Sequence, residues 1–184
     1  MNDEIIRLRK RVAELERENA VLCAKVTFFE RAPWMRDGIR GEQVVAELIG
    51  GSTTPVNERF DVLTPSKQVR LEVKYSNLNL AVAGERTKRW TWANILGFDR
   101  AKVFESLILV GDADTRYHHL YRDRETPFIF FDVPYVDLSD VVRFSPQLIQ
   151  INTNPRTART DVAKALYGRF QITRDELISK YRNA

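Results

Sequence analysis

Two neighbouring segments of the chain alternate apolar and polar residues with a period of two. Residues 59–63 read Arg-Phe-Asp-Val-Leu, and residues 68–75 read Gln-Val-Arg-Leu-Glu-Val-Lys-Tyr. Because successive side chains of a strand point to opposite faces, this alternation is typical of half-buried β-strands. Residues 64–67, Thr-Pro-Ser-Lys, have the composition of a turn. The sequence therefore predicts a β-hairpin, and the hairpin fixes which side chains can meet.

The predicted hairpin brings charged side chains together. On its second strand the apolar residues 69, 71 and 73 share one face, so Arg70, Glu72 and Lys74 share the other. Asp61 lies on the first strand, so two carboxylates and an ammonium group converge. Paired carboxylates suit a hard cation such as Mg²⁺, which takes oxygen ligands and keeps several waters. A neighbouring ammonium can orient or activate one of those waters beside a phosphate.

The order of these residues resembles the pattern of the PD-(D/E)XK nuclease superfamily: an acidic residue at a strand end, a short hairpin, then Glu-x-Lys on the next strand. Asp61 and the run Glu72-Val73-Lys74 match it, while Phe60 stands where the pattern has proline. The resemblance covers residues 37–111. It implies an α/β fold with a restriction-endonuclease-like mixed sheet flanked by helices.

A helix is predicted just upstream of the hairpin. Residues 38–51 have apolar residues at helical spacing and end in Gly-Gly. This segment resembles the leading helix of the superfamily, as in Holliday junction resolvases, where a Glu of that helix reaches the metal site. Glu42 is the matching residue in this chain.

The resemblance implies hydrolysis of a DNA phosphodiester with Mg²⁺, for which Mn²⁺ can substitute, by a restriction-type or phage-type endonuclease. Asp61 and Glu72 would hold the metal, with the Val73 carbonyl as a third ligand. Lys74 would position the attacking water and help to deprotonate it. Glu42 would bind a second metal or orient the water network. The products would carry 5′-phosphate and 3′-hydroxyl groups.

Two other interpretations of the same residues stay open. In the first, Glu-x-Lys is only an ion pair on a solvated strand face, and the protein is a non-enzymatic dimer that binds DNA. In the second, the dimer and Glu42 indicate a Holliday junction resolvase. Metal-dependent cleavage of plasmid tests the first, and a cruciform substrate tests the second.

Residues 3–30 carry four consecutive heptads without Gly or Pro. The a and d positions are apolar except for one asparagine, and they are Ile5, Leu8, Val12, Leu15, Asn19, Leu22, Val26 and Phe29. β-Branched residues at a with Leu at d favour a parallel two-stranded coiled coil, and one Asn at a fixes its register. The g and e positions would pair opposite charges between copies, as for Glu4 with Arg9. The sequence predicts a homodimer through residues 1–31; the alternative is a helix packed on its own domain.

Two basic segments are candidates for DNA contact. In residues 85–94, Arg86, Lys88 and Arg89 lie beside Trp90 and Trp92, and we expect a helix that continues to residue 103 and faces the substrate.

Residues 152–184 hold seven basic and three acidic residues. Two short helices there, capped by Thr160 and Thr173, fit a helix-turn-helix or an amphipathic pair that covers the sheet. Arg174, Lys180 and Arg182 are the candidate phosphate contacts in this segment.

Length and composition fit one catalytic core with two appendages. The chain has 184 residues, of which 43% are hydrophobic, so it can bury a core. It contains no apolar run long enough for a membrane span and no signal peptide, so we expect a cytoplasmic protein without membrane contact. The predicted division is a coiled coil (1–31), a nuclease core (32–151) and a basic helical tail (152–184). Further strands are predicted at 107–111, 127–133 and 147–151.

Overall fold

The structure is a computed structural model that describes residues 4, 7–9, 11–12, 15–16, 19, 33–55, 58–80, 87–97, 102–142 and 147–184. The chain divides into two compact units, Met1–Arg36 and Asp37–Ala184. In the first unit, the described residues between 4 and 19 are helical. Three of the predicted seam residues, Leu8, Val12 and Leu15, are 59%, 53% and 47% exposed. The heptad positions 5, 22, 26 and 29 lie outside the described residues.

The second unit is an α/β fold built on a mixed sheet. Its six strands follow the order β1-β2-β3-β6-β7-β9, in which β3 and β6 are parallel and the other neighbours antiparallel. A second, antiparallel sheet has the order β4-β5-β8. The strands are β1 (Ser52–Thr53), β2 (Val62–Leu63), β3 (Arg70–Ser76), β4 (Asn79–Leu80), β5 (Lys88–Trp92), β6 (Ser106–Asp112), β7 (Phe128–Pro134), β8 (Ile149–Asn152) and β9 (Gln171–Ile172). The α-helices are α1 (Pro33–Ile49), α2 (Asp161–Ala165) and α3 (Arg174–Tyr181), and short 3₁₀ segments cover His118–Leu120, Tyr135–Asp140 and Pro155–Thr157.

Helix α1 confirms the helix predicted for residues 38–51. It begins at Pro33, a residue that the first turn tolerates because its missing N–H has no helical partner there. It ends at Ile49, and Gly50 follows with a positive φ of 72°. The left-handed backbone favours glycine at this position. The apolar side of α1 packs Val45 and Ile49 against the main sheet.

The two faces of β3 pack against different layers. Leu71 and Val73 join a core with α1 and α3, whereas Glu72 and Lys74 point to the opposite face. On that face Leu107 and Leu109 of β6 pack with the two buried tryptophans of β5. The predicted hairpin is confirmed by the β2–β3 pairing, and the later strands are confirmed as β6, β7 and β8.

The helix predicted from residue 85 toward residue 103 is wrong, because residues 88–92 form β5 and the described residues 93–97 and 102–103 are not helical. Residues two apart share one face of a strand, so Trp90 and Trp92 are both buried there. The Trp90 indole N–H donates to the Asp112 carbonyl of β6, and the Trp92 indole N–H donates to the Val110 carbonyl, each at 2.9 Å. Lys88 and Arg89 therefore lie on a strand, and Arg86 lies outside the described residues.

The C-terminal segment belongs to the second unit, which differs from the predicted separate tail at 152–184. Between α2 and α3 the chain forms a π-type turn and then β9, which pairs with the edge of β7. A strand in this place differs from the tight turn of a helix-turn-helix. Helix α3 buries Leu177 and Tyr181 on the main sheet, so this segment covers the core. The predicted caps are present: Thr160 accepts from the Ala163 N–H, and Thr173 forms a capping box with Glu176.

None of the helices in the described part of the chain is both long enough and apolar enough to cross a membrane.

Candidate active site

The hairpin brings Asp61, Glu72 and Lys74 together. The Asp61 N–H donates to the Leu71 carbonyl at 2.9 Å, and the Asp61 Oδ2 accepts from the Val73 N–H at 3.0 Å. Asp61 directly precedes the short strand β2. Its carboxylate accepts a hydrogen bond from a β3 backbone N–H that lies beyond the end of the β2–β3 pairing. The Lys74 Nζ lies 2.5 Å from Glu72 Oε1 and 3.8 Å from Asp61 Oδ2. The convergence expected from the alternating pattern is therefore present.

A second ammonium group, from Lys102, completes the cluster. The Lys102 Nζ lies 2.9 Å from Asp61 Oδ1 and 3.0 Å from Glu72 Oε2, so it bridges the two carboxylates. The Val103 N–H donates to the Arg59 carbonyl at 2.8 Å and fixes the segment that carries Lys102. Sequence reasoning missed this residue because it lies in an irregular segment before β6. The parallel pairing of Leu71 with Ser106 is what places that segment beside Asp61.

Burial sets the protonation behaviour of the cluster. The side chain of Glu72 is fully buried, whereas those of Lys74 and Lys102 are 21% and 19% exposed. Desolvation raises the pKa of Glu72 to about 7; Lys74 opposes this shift and Asp61 adds to it. Burial also opposes the charge of Lys102, yet its hydrogen bond to Asp61 and the negative charge of Glu72 leave the pKa of Lys102 raised. Burial thus brings the pKa of Glu72 close to neutral pH, where this carboxyl group can exchange a proton.

Glu42 belongs to the same electrostatic environment. It is half-buried on α1, and desolvation, followed by the nearby charge of Asp61, raises the pKa of Glu42 to about 7. Lys74 and Lys102 act in the opposite direction on this group. Within the described residues Glu42 makes neither an ion pair nor a hydrogen bond. Glu42 therefore lies within electrostatic range of the Asp61 and Glu72 carboxylates.

The oxygen donors of Asp61 and Glu72 fit a hard divalent cation. Both Glu72 oxygens are buried without a hydrogen bond of ordinary geometry, although each lies close to a lysine ammonium. A buried carboxylate of this kind gains from a closely placed positive charge. The described residues contain no group of three or more His, Cys, Asp or Glu side chains that could hold a metal. Two carboxylates remain sufficient for Mg²⁺, because that ion usually keeps several of its waters.

The C-terminal basic residues lie apart from this cluster. The Lys180 Nζ lies 2.6 Å from the Asp132 carboxylate. In the sheet, Asp132 is paired with Ile108, and Ile108 is paired with Val73, so all three side chains lie on the face opposite to Glu72. Arg174 is 3.2 Å from Asp175, so it also has an acidic partner. Arg182 is exposed at the end of α3. The structure therefore brings together the predicted catalytic residues but does not bring these cations to them.

No protein-family model matches this chain, and no curated protein matches it.

Proposed function

We propose that the protein is a Mg²⁺-dependent DNA endonuclease of the PD-(D/E)XK type with a restriction-endonuclease-like core. The observation that carries the proposal is the meeting of Asp61, Glu72 and Lys74 at the β2–β3 hairpin, with Lys74 within 3.8 Å of both carboxylates. The mixed sheet and the preceding helix with Glu42 support it. These features occur in the chain order that the resemblance requires.

The residues have distinct roles in the proposed reaction. Asp61 and Glu72 would hold Mg²⁺, with the Val73 carbonyl as a further ligand, and the bound ion would supply Lewis-acid stabilisation of charge on the phosphate. The Lys74 ammonium would orient the attacking water, and its positive charge would stabilise the hydroxide that forms when this water gives up its proton. Glu42 can accept a proton because its pKa of about 7 lies near neutral pH. Lys102 adds a second positive charge beside Asp61 and Glu72.

We also propose that the protein acts as a homodimer through a parallel coiled coil in residues 1–31. Leu8, Val12 and Leu15 occupy predicted a and d positions, and all three are exposed in the single chain. Large apolar side chains in one seam gain about 0.8 kcal/mol for each CH₂ group that a partner helix covers. A dimer carries two catalytic clusters, which suits cleavage of both DNA strands.

The non-enzymatic alternative also has an observation in its favour. Lys74 and Lys102 together balance the charges of Asp61 and Glu72, as in a purely structural ion-pair cluster. In that case the protein would be a dimer that binds DNA without cleaving it.

Cleavage of supercoiled plasmid tests the proposal. Purified wild-type protein should convert the plasmid to nicked or linear DNA with Mg²⁺ and not with EDTA. Asp61→Ala and Lys74→Ala should abolish cleavage while circular dichroism shows a folded protein. Lys164→Ala is the matched control, because Lys164 is an exposed helix lysine 3.6 Å from Asp161. Full activity in either site variant would remove the mechanism, and DNA binding without cleavage would establish the non-enzymatic alternative. Preferential cutting of a cruciform would favour a junction resolvase.

A further inference from the structure

Two adjoining hollows lie beside strands β5 and β8 of the second sheet. Both are lined by Asn152, Thr157 and Arg159; one adds Lys88 and the other adds Arg89. Each has a volume of about 270 Å³. These five residues define what is called here the basic groove. It is separate from the cluster of Asp61 and Glu72, whose residues do not line it.

The positive charge of the basic groove is not balanced by its lining. Lys88 and Arg159 have no acidic partner among the described residues. The Arg89 Nε donates to the Asn152 Oδ1 at 3.2 Å, and its Nη1 lies 3.5 Å from the Gln150 Oε1. Those partners are neutral amides, so they orient the guanidinium without cancelling its charge. Among the described residues, no Asp or Glu lines either hollow.

A third hollow, on another part of the surface, has a lining in which the cations are balanced by carboxylates. Its lining also has three cations, but they are interleaved with three carboxylates: Arg122, Asp123, Arg124, Glu125, Arg174 and Asp175. Its formal charge is therefore zero, whereas that of the basic groove is +3. An uncompensated cluster of this kind attracts polyanions.

Backbone pairing and a side-chain hydrogen bond hold the elements that carry the cations of the basic groove. Arg89 pairs with Asn152 across the β5–β8 ladder, and the next pair is the buried Trp90 with Ile151. The Tyr167 hydroxyl donates to the Asn152 carbonyl at 2.6 Å and ties the end of β8 to the following helical segment. A ligand that binds here has little backbone to order, which lowers the entropic cost of binding.

We propose that the basic groove holds the phosphodiester backbone of the DNA substrate. The identity of this ligand rests on the proposed nuclease function. Phosphate is the group that suits the lining, because Lys88, Arg89 and Arg159 offer charged donors and the Asn152 amide keeps its N–H groups for a further bond. Contacts of this sequence-independent kind would hold DNA on the second sheet while the carboxylate cluster cuts.

Salt-dependent binding of a fluorescein-labelled DNA duplex, followed by anisotropy in EDTA, tests this assignment. The full chain is compared with Lys88→Gln, Arg159→Gln and the double variant. Each lost phosphate contact should lower the slope of log K against log salt by about 0.9 and weaken binding about five-fold at ~0.15 M salt. Arg124→Gln is the control, because it removes the same charge from the hollow that carries carboxylates.

The outcomes separate the two proposals. A salt slope that falls in both groove variants and stays constant in the control supports the groove, even if the plasmid assay shows no cleavage. Unchanged slopes in both groove variants, or no DNA binding by the wild-type chain in EDTA, overturn the groove even if the plasmid is cut. Thermal melting of each variant verifies that the fold is intact, since Lys88 is half-buried while Arg159 and Arg124 are exposed.

Discussion

Replacing Lys102 by methionine removes one ammonium from between two carboxylates and keeps a side chain of similar length. Asp61 and Glu72 would each lose a partner, at 2.9 Å and 3.0 Å. Removing one partner of a buried ion pair costs about 3–5 kcal/mol. Water already reaches this pair, since Lys102 is 19% and Asp61 12% exposed, so we expect the lower part of that scale or slightly less. A loss of about 2–3 kcal/mol corresponds to a fall in Tm of about 4–12 °C for a unit of about 150 residues.

The measurement is urea and thermal unfolding in EDTA, with Lys164→Met as the matched control. Lys164 is 63% exposed and pairs with an exposed aspartate, so its replacement should change the free energy of unfolding by less than about 0.5 kcal/mol. Mg²⁺ should then raise the Tm of the Lys102 variant more than that of the wild type. The reason is that the Lys102 ammonium would no longer compete with Mg²⁺ for the same carboxylates, so Mg²⁺ would bind the folded variant more tightly and stabilise it more.

Two results would refute this reasoning. If Lys102→Met is as stable as the wild type, the bridge contributes nothing to the fold. If Mg²⁺ raises both melting temperatures equally, Lys102 does not compete for the position between Asp61 and Glu72.

Three further predictions concern packing, protonation and assembly. Gly111→Ala should destabilise the fold by about 1–3 kcal/mol in urea, because its Cβ would lie 2.7 Å from the Trp90 indole nitrogen, whereas Gly168→Ala meets no atom within 4 Å and should not. The pKa of Glu42 rises from 4.5 to about 7 on folding, so between these pH values the folded state binds more protons than the unfolded state. The contribution of Glu42 to stability therefore falls as pH rises from 4.5 to about 7, and Glu42→Gln should flatten the pH dependence of urea unfolding. Deleting residues 1–30 should yield a monomer that accumulates nicked circles where the intact protein gives linear DNA; a full-length chain that sediments as a monomer contradicts the coiled coil.

Local periodicity was sufficient for the parts of the site that lie within single elements. The alternation around Glu72 and Lys74 identifies a strand and its polar face, and the Gly-Gly pair marks the end of α1. Lys102 carries no such signal, because its segment is irregular and only the pairing of β3 with β6 brings it to Asp61. Long-range pairing of this kind cannot be derived from the spacing of residues along one segment.

The errors elsewhere have similar causes. The alternation in β5 covers only five residues, and the apolar residues that follow it have helical spacing, so local periodicity predicts a helix over Trp90 and Trp92 where the structure has a strand. Strand β9 has two residues, which is too short for a periodic pattern, so the sequence predicts only the two helices beside it and leaves open whether they cover the core.

The register of the parallel pairing between β3 and β6 decides which face of the sheet carries the charged residues of β3. Glu72 pairs with Leu107 and Val73 with Ile108, so every second residue of β3 faces the tryptophan layer. A slip by one residue would exchange the two faces of the strand. Valine and leucine would then stand where the carboxylate belongs, and Glu72 would enter the apolar layer beneath α1. Each misaligned arrangement would lose both the packed core and the proposed catalytic cluster, so core packing and the proposed chemistry require the same alignment.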